Sequence, residues 1–189
     1  MDSKEIDQLY QKSIAALGYE VVLPLQLGER GVYKVKKERT FLTVKLGSHH
    51  FSDSGLHVQT ENEALQRAKE VPRIVRTVSY YCFVQEGVEI FALARNYIKG
   101  VELGEKRTFL GKTQQLMLEE TVHALHGCGI ANLDLYYGNI LMGPRQIPYL
   151  FDLGLARFKE NNPEEYALSV QEDLDELMEL IRNYDHPEH

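Results

Sequence analysis

The sequence predicts an α+β fold in which a strand-rich first half carries one inserted helix and a mainly helical second half follows. Two observations predict it. Between residues 19 and 94, short apolar and β-branched runs are separated by polar turns such as Lys36-Lys37-Glu38-Arg39 and Gln85-Glu86-Gly87, the texture of antiparallel strands. In Lys112–His126 and Pro163–Tyr184, apolar residues recur every three or four positions, the period of amphipathic helices. At 189 residues and 43% hydrophobic, the chain suits one domain or two small lobes sharing a cleft. A chain of this length buries about 70% of its unfolded surface, so it needs no disulfides to fold. The expected division is residues 1–95, a five-stranded antiparallel sheet with its helices, and residues 96–189, a truncated helical unit.

The elements follow in order. Asp2 caps a first helix and Glu5 reaches back to complete a capping box; Ile6, Tyr10, Ile14 and Leu17 form its stripe, and Gly18 ends it. Tyr19 to Leu25, Gly31 to Val35 and Thr40 to Leu46 are the next three strands. A polar stretch with His49, His50 and His57 follows, and Thr60 is expected to open a helix that Pro72 stops, with Glu63 closing a capping box on Thr60. Val78–Val84 and Val88–Ala94 complete the five strands. In the second half, the helix Lys112–His126 ends at Gly127-Cys128-Gly129, and Ile140–Met142 and Tyr149–Phe151 are short strands. Asn162 before Pro163 starts the last helical segment, with room for a break at Ser169 and Glu172; its expected buried stripe is Val170, Leu174, Leu177, Met178 and Ile181.

Composition excludes several classes. The net charge of -7 argues against broad nucleic-acid binding, which needs clustered Lys and Arg. It does not argue against a nucleotide. The opening residues lack a signal-peptide core, and no apolar run approaches the ~20 residues of a membrane span. Cys82 and Cys128 are far apart and are expected to be reduced core thiols of a cytoplasmic protein.

Two segments carry the chemistry. Asp134-Leu135-Tyr136-Tyr137-Gly138-Asn139 places an Asp five residues before an Asn, on a loop between a helix and a strand. Leu150-Phe151-Asp152-Leu153-Gly154 places Asp-Leu-Gly directly after an apolar strand. Phosphoryl transfer needs such an inventory: one carboxylate to take or orient a hydroxyl proton, and a carboxylate and an amide oxygen to hold magnesium on the phosphates. Either segment alone is also what an ordinary Asx turn looks like.

Together the two segments resemble the catalytic loop, H-R-D-x-x-x-x-N, and the D-F-G motif of protein kinases. The resemblance implies a bilobal kinase-like fold that binds ATP and Mg2+, with Asp134 as the catalytic base and Asn139 and Asp152 as metal ligands. Lys45, in Phe41-Leu42-Thr43-Val44-Lys45, looks like the third-strand lysine that holds the α and β phosphates. Its implied partner is Glu61, which shares a helical face with Leu65 and Ala68, whereas Glu63 faces solvent. Gly28 and Gly31 match part of the glycine-rich loop that covers phosphate. Arg95-Asn96-Tyr97-Ile98-Lys99-Gly100 resembles the hinge that binds the adenine edge, with Asn96 and Ile98 as its contacts.

The chain departs from that family in four places. Asn132-Leu133 stands where His-Arg is usual. Tyr136 stands where a Lys is common, and Leu153 replaces Phe. After Asp152 there is no A-P-E and no large helical platform for peptides. The plan is most similar to the shortest kinase-like families: RIO-type and tRNA-modification-complex kinases, lipopolysaccharide sugar kinases and small microbial Ser/Thr kinases. The implied activity is transfer of the γ-phosphoryl of ATP to a hydroxyl, first a protein Ser or Thr. The alternatives are a sugar or other small molecule, or a nucleotide-binding pseudokinase or ATPase acting with a protein partner. Three further features are expected to be inert. His123 and His126 lack matching metal ligands; in kinases a late helical Asp braces the catalytic loop, but Asp173 is expected on a solvated acidic face instead.

Overall fold

In the computed structural model, residues 1–103 and 109–184 are described. Among these residues the architecture is α+β, with four α-helices and a five-stranded antiparallel sheet. The chain divides into two compact units: Met1–Glu63 with Arg76–Tyr97, and Ala64–Val75 with Ile98–His189. The division therefore falls two residues beyond the expected one, and a segment of the first half belongs to the second unit. No helix among the described residues is long and apolar enough to cross a membrane.

The first unit begins with α1 (Ser3–Ala16). Asp2 accepts the Glu5 amide at 2.8 Å while the Glu5 carboxylate accepts the Asp2 amide at 2.7 Å, so the capping box is closed from both sides. The sheet is built from β1 (Glu20–Gln26), β2 (Gly31–Lys37), β3 (Thr40–Gly47), β4 (Thr77–Gln85) and β5 (Val88–Asn96), in the order β1-β2-β3-β5-β4. Ile6, Leu9, Tyr10 and Ile14 of α1 join Tyr33, Val35, Val44, Ile90 and Ala92 of the sheet in one apolar core. β1 is almost wholly exposed; it is an edge strand, which is why it tolerates Pro24.

The inserted helix, α2, spans Ser54–Arg67, six residues earlier than expected at its start. Thr60 and His57 are therefore inside it, and Glu63 is not a capping residue. A serine network replaces the expected cap. Ser54 Oγ donates to the Ser48 carbonyl and accepts the Ser48 amide, both at 3.0 Å. Gly47 lets the backbones meet, since a Cβ there would lie 2.2 Å from the Ser54 carbonyl oxygen. Gly55 and His57 interrupt the apolar period of the first turns, so only the later part was legible as a helix.

In the second unit, β6 (Val101–Glu102), β8 (Ile140–Met142) and β9 (Pro148–Leu150) form one small sheet, and β7 (Ile130–Ala131) pairs with β10 (Arg157–Phe158). The helices are α3 (Lys112–Gly127) and α4 (Pro163–Tyr184). Gly129, at φ 73, turns the chain after α3. α4 is one unbroken helix whose buried face is Tyr166, Ser169, Asp173, Leu177 and Leu180. The expected stripe was thus rotated by about one position, and Met178 is exposed. Cys82 and Cys128 are free but exposed, not core thiols. Each sits where the chain faces water: Cys82 on an outward position of an edge strand, Cys128 at a helix end.

Candidate active site

The loop after β7 is shaped by its Asx residues. Asn132 and Asp134 have φ of 59° and 52°, and Asp152 has 67°. This left-handed region is costly for most side chains and least so for Asn and Asp. Backbone held there is found where surrounding structure over-determines it, often at functional sites.

The two segments meet at Asn139. A single 3₁₀ turn, Tyr137–Asn139, brings its side chain back over the loop, where Nδ2 donates to the Asp134 carbonyl at 2.9 Å and to Asp134 Oδ2 at 3.0 Å. The β8–β9 hairpin pairs Ile140 with Leu150, and the Phe151 amide donates to the Asn139 carbonyl at 3.1 Å. Asp152 follows immediately, with Oδ1 accepting the Gly154 amide at 3.2 Å. β9 is held from its other side as well: the Leu150 amide donates to the Arg73 carbonyl at 2.9 Å and the Val75 amide to the Leu150 carbonyl at 3.3 Å. Asp134, Asn139 and Asp152 thus stand on one braced framework within one unit.

The structure has a brace beneath that loop, a role that sequence reasoning ranked below a solvated face for Asp173. Asp173, 1% exposed, accepts the Leu133 amide at 2.7 Å, the Asn132 amide at 3.0 Å and His126 Nε2 at 2.9 Å. It is a buried positioning carboxylate, not part of a solvated face, and His126 is its partner. The clue lay in the period: Asp173 falls in the helical row of Tyr166, Ser169, Leu177 and Leu180. Asn132 ties the two segments together, its Nδ2 donating to the Leu155 carbonyl. Asp173→Asn turns one acceptor oxygen into a donor facing a donor. We expect a loss of about 1–3 kcal/mol in urea unfolding, together with a fall in any activity that depends on Asp134.

Glu176, one turn further along α4, accepts the Leu135 amide at 2.9 Å. Burial pushes its carboxyl above the ordinary value of 4.5; the Leu135 amide pulls it down, and the nearby Asp173, Asp134 and Glu172 push it up again. A raised folded-state pKa means stability that is present below the ordinary carboxylate range and lost as pH rises through the raised value. Glu176→Gln removes that dependence and keeps an acceptor for Leu135. Relative to wild type, the variant should therefore gain stability as pH rises above the ordinary carboxylate range, as read by urea melts from acid to neutral pH.

Asp134 also borders a pocket of about 300 Å³ whose walls include Tyr136, Tyr137 and Tyr184. The Tyr136 and Tyr137 ring centroids lie 5.5 Å apart and those of Tyr137 and Tyr184 6.1 Å apart. Gly138 makes room for this wall, since a Cβ there would meet the Tyr136 ring at 2.4 Å. Burial raises the Tyr136 phenol, helped by the charges of Asp134 and Asp152.

In the first unit, Lys45 Nζ and Glu61 Oε2 are 2.7 Å apart, with Lys45 1% and Glu61 0% exposed. Glu61, not Glu63, is the partner. The other Glu61 oxygen accepts Arg95, a residue the sequence reading passed over as part of the connector. Strand register places it there: Thr43 pairs with Arg95 and Lys45 with Leu93, so Lys45 and Arg95 share a sheet face. Gly28 has φ 123 in the β1–β2 turn, which requires glycine. Gly31 has a packing reason, because a Cβ there would lie 2.6 Å from the Tyr10 ring. Tyr10 also donates to the Glu29 carbonyl at 2.7 Å, so α1 holds this turn. Asn96 is used structurally: its amide donates to the Arg76 carbonyl at 3.0 Å and its Oδ1 accepts the Arg76 amide. Ile98 belongs to the second unit, where a Cβ on Gly143 would lie 3.3 Å from its Cγ2.

The donor set fits magnesium. Asn139 Oδ1 has no hydrogen-bond donor among the described residues, and the carboxylates of Asp134 and Asp152 are hard oxygen donors of the kind Mg2+ prefers. No group of three or more His, Cys, Asp or Glu side chains converges among the described residues. A carboxylate and an amide are a small set, which suits an ion that keeps waters and phosphate oxygens as its other ligands. No protein-family model matches this sequence, and no curated protein matches it either.

Proposed function

We propose that the protein is a small kinase-like phosphotransferase that uses MgATP to phosphorylate a hydroxyl. One observation carries this reading. Asn139 bonds through its side chain to Asp134 and through its carbonyl to the residue before Asp152, so the two segments that resemble the catalytic loop and D-F-G share one framework. Asp134 takes the base role, accepting the hydroxyl proton. Asn139 and Asp152 hold the metal, which supplies charge neutralisation on the phosphates. Lys45, oriented by Glu61, holds phosphate oxygens. The β1–β2 turn with Gly28 and Gly31 covers the phosphates, and the connector around Asn96 and Ile98 meets adenine. A bilobal kinase-like arrangement and a cytoplasmic location belong to the same proposal; the free thiols suit a reducing compartment.

The pocket of about 300 Å³ beside Asp134, lined by tyrosine rings and carboxylates, has the size and polar lining of a small-ligand site and supports a small-molecule hydroxyl over a protein Ser or Thr. γ-Labelled ATP with magnesium, given to wild type and to Asp152→Asn, tests the activity. Label transfer or phosphate release by wild type that is lost in the variant supports the proposal. Equal release by both, or none by either at high enzyme concentration, refutes it.

A further inference from the structure

The pocket beside Asp134 combines three features. Tyrosine rings line it, as described above. Glu176 and Glu179 add carboxylates to that of Asp134, and neither Lys nor Arg is among its lining residues. Its volume of about 300 Å³ lies at the small end of ligand pockets, the scale of a monosaccharide. Tyrosine faces attract cations and stack on apolar ring faces. Carboxylates accept hydrogen bonds from hydroxyls and, more strongly, from ammonium groups. An anionic acceptor meets three like charges here, and a neutral one leaves them uncompensated. The Glu176 carboxyl is already raised by burial and by its acidic neighbours, so a cation close by relieves an existing repulsion.

We propose that this pocket receives a small acceptor carrying both a hydroxyl and an ammonium group, an amino sugar or amino alcohol. The proposal rests on the phosphotransferase reading and names its substrate class. In the step, the acceptor oxygen bonds to the γ-phosphorus as the bond from that phosphorus to the β,γ-bridging oxygen breaks. The electron pair leaves with ADP, and the hydroxyl proton passes to the Asp134 carboxylate. The ammonium stays bound against Glu179 and the tyrosine faces and fixes which hydroxyl is presented.

Matched pairs of probes test it: glucosamine against glucose, galactosamine against galactose, and ethanolamine against ethylene glycol. Binding to the full chain is measured by ligand-observed NMR, and phosphotransfer separately with labelled ATP. The expected result is that the ammonium member of at least one pair binds about ten-fold or more tightly than its neutral mate. Glu179→Gln and Tyr184→Ala should each erase that preference while keeping the wild-type far-UV spectrum. Equal binding within every pair overturns the proposal, as does ATP turnover with transfer only to a basic Ser-containing peptide. Selective ammonium binding without any ATP turnover keeps the ligand assignment and sinks the phosphotransferase reading instead.

Discussion

Asp134→Asn is expected to lower phosphotransfer by about 10²–10⁴-fold, the usual contribution of a general base. The substitution is nearly isosteric. Oδ2 of Asp134 receives a hydrogen bond from Asn139 Nδ2 at 3.0 Å, and an Asn can keep that bond through its amide oxygen. The left-handed backbone at φ 52 is also one that Asn adopts readily. The fold should therefore survive, with a thermal midpoint close to wild type, while the proton acceptor is gone. Single-turnover phosphotransfer at saturating MgATP reads the effect on the chemical step. A variant that retains wild-type turnover would show that Asp134 is only an Asx turn.

Glu61→Ala is expected to destabilise the protein by about 3–5 kcal/mol. Glu61 is fully buried and pairs with both Lys45 and Arg95. Removing it leaves two cations in a site nearly closed to water, and an uncompensated buried charge costs that much. Arg95 has no ready replacement, because its Nε is already buried without a hydrogen-bond partner among the described residues. Glu61→Gln keeps an acceptor of the same shape and should cost less. Urea unfolding at neutral pH measures both; a loss under about 1 kcal/mol for the alanine variant would mean that the triad relaxes into water. Turnover of the glutamine variant then separates orientation of Lys45 from stability, since it folds but no longer pairs charge with charge.

Much of this was legible because the signals were local. A capping box needs only Asp2 and Glu5, and the strands β2, β3 and β5 announce themselves by short apolar and β-branched runs between polar turns. The resemblance implied a glutamate partner for Lys45, and helix phase chose Glu61 over Glu63, since Glu61 shares its face with Leu65 and Ala68. What was hidden depended on polar residues in buried places. Asp173 looked solvated because carboxylates usually are, yet it lies in the buried row of α4 and holds the Asn132 and Leu133 amides. Arg95 escaped notice for the same reason. The start of α2 was hidden because serine and glycine, normally loop residues, make the contact of Ser48 with Ser54 and the close backbone passage at Gly47. The tyrosine pocket joins residues 136–137 to residue 184, a distance in sequence that no period or motif spans.

The claim that Asp152 and Asn139 form one metal–nucleotide site is tested most directly by replacing magnesium with Mn2+ and recording its electron paramagnetic resonance spectrum. The prediction is a signal broadened and immobilised beyond that of Mn–ATP in buffer, seen only when protein and ATP are both present. It should disappear in Asp152→Asn and weaken in Asn139→Ala. A spectrum of protein, Mn2+ and ATP indistinguishable from Mn–ATP alone, or one unchanged by both substitutions, would contradict it.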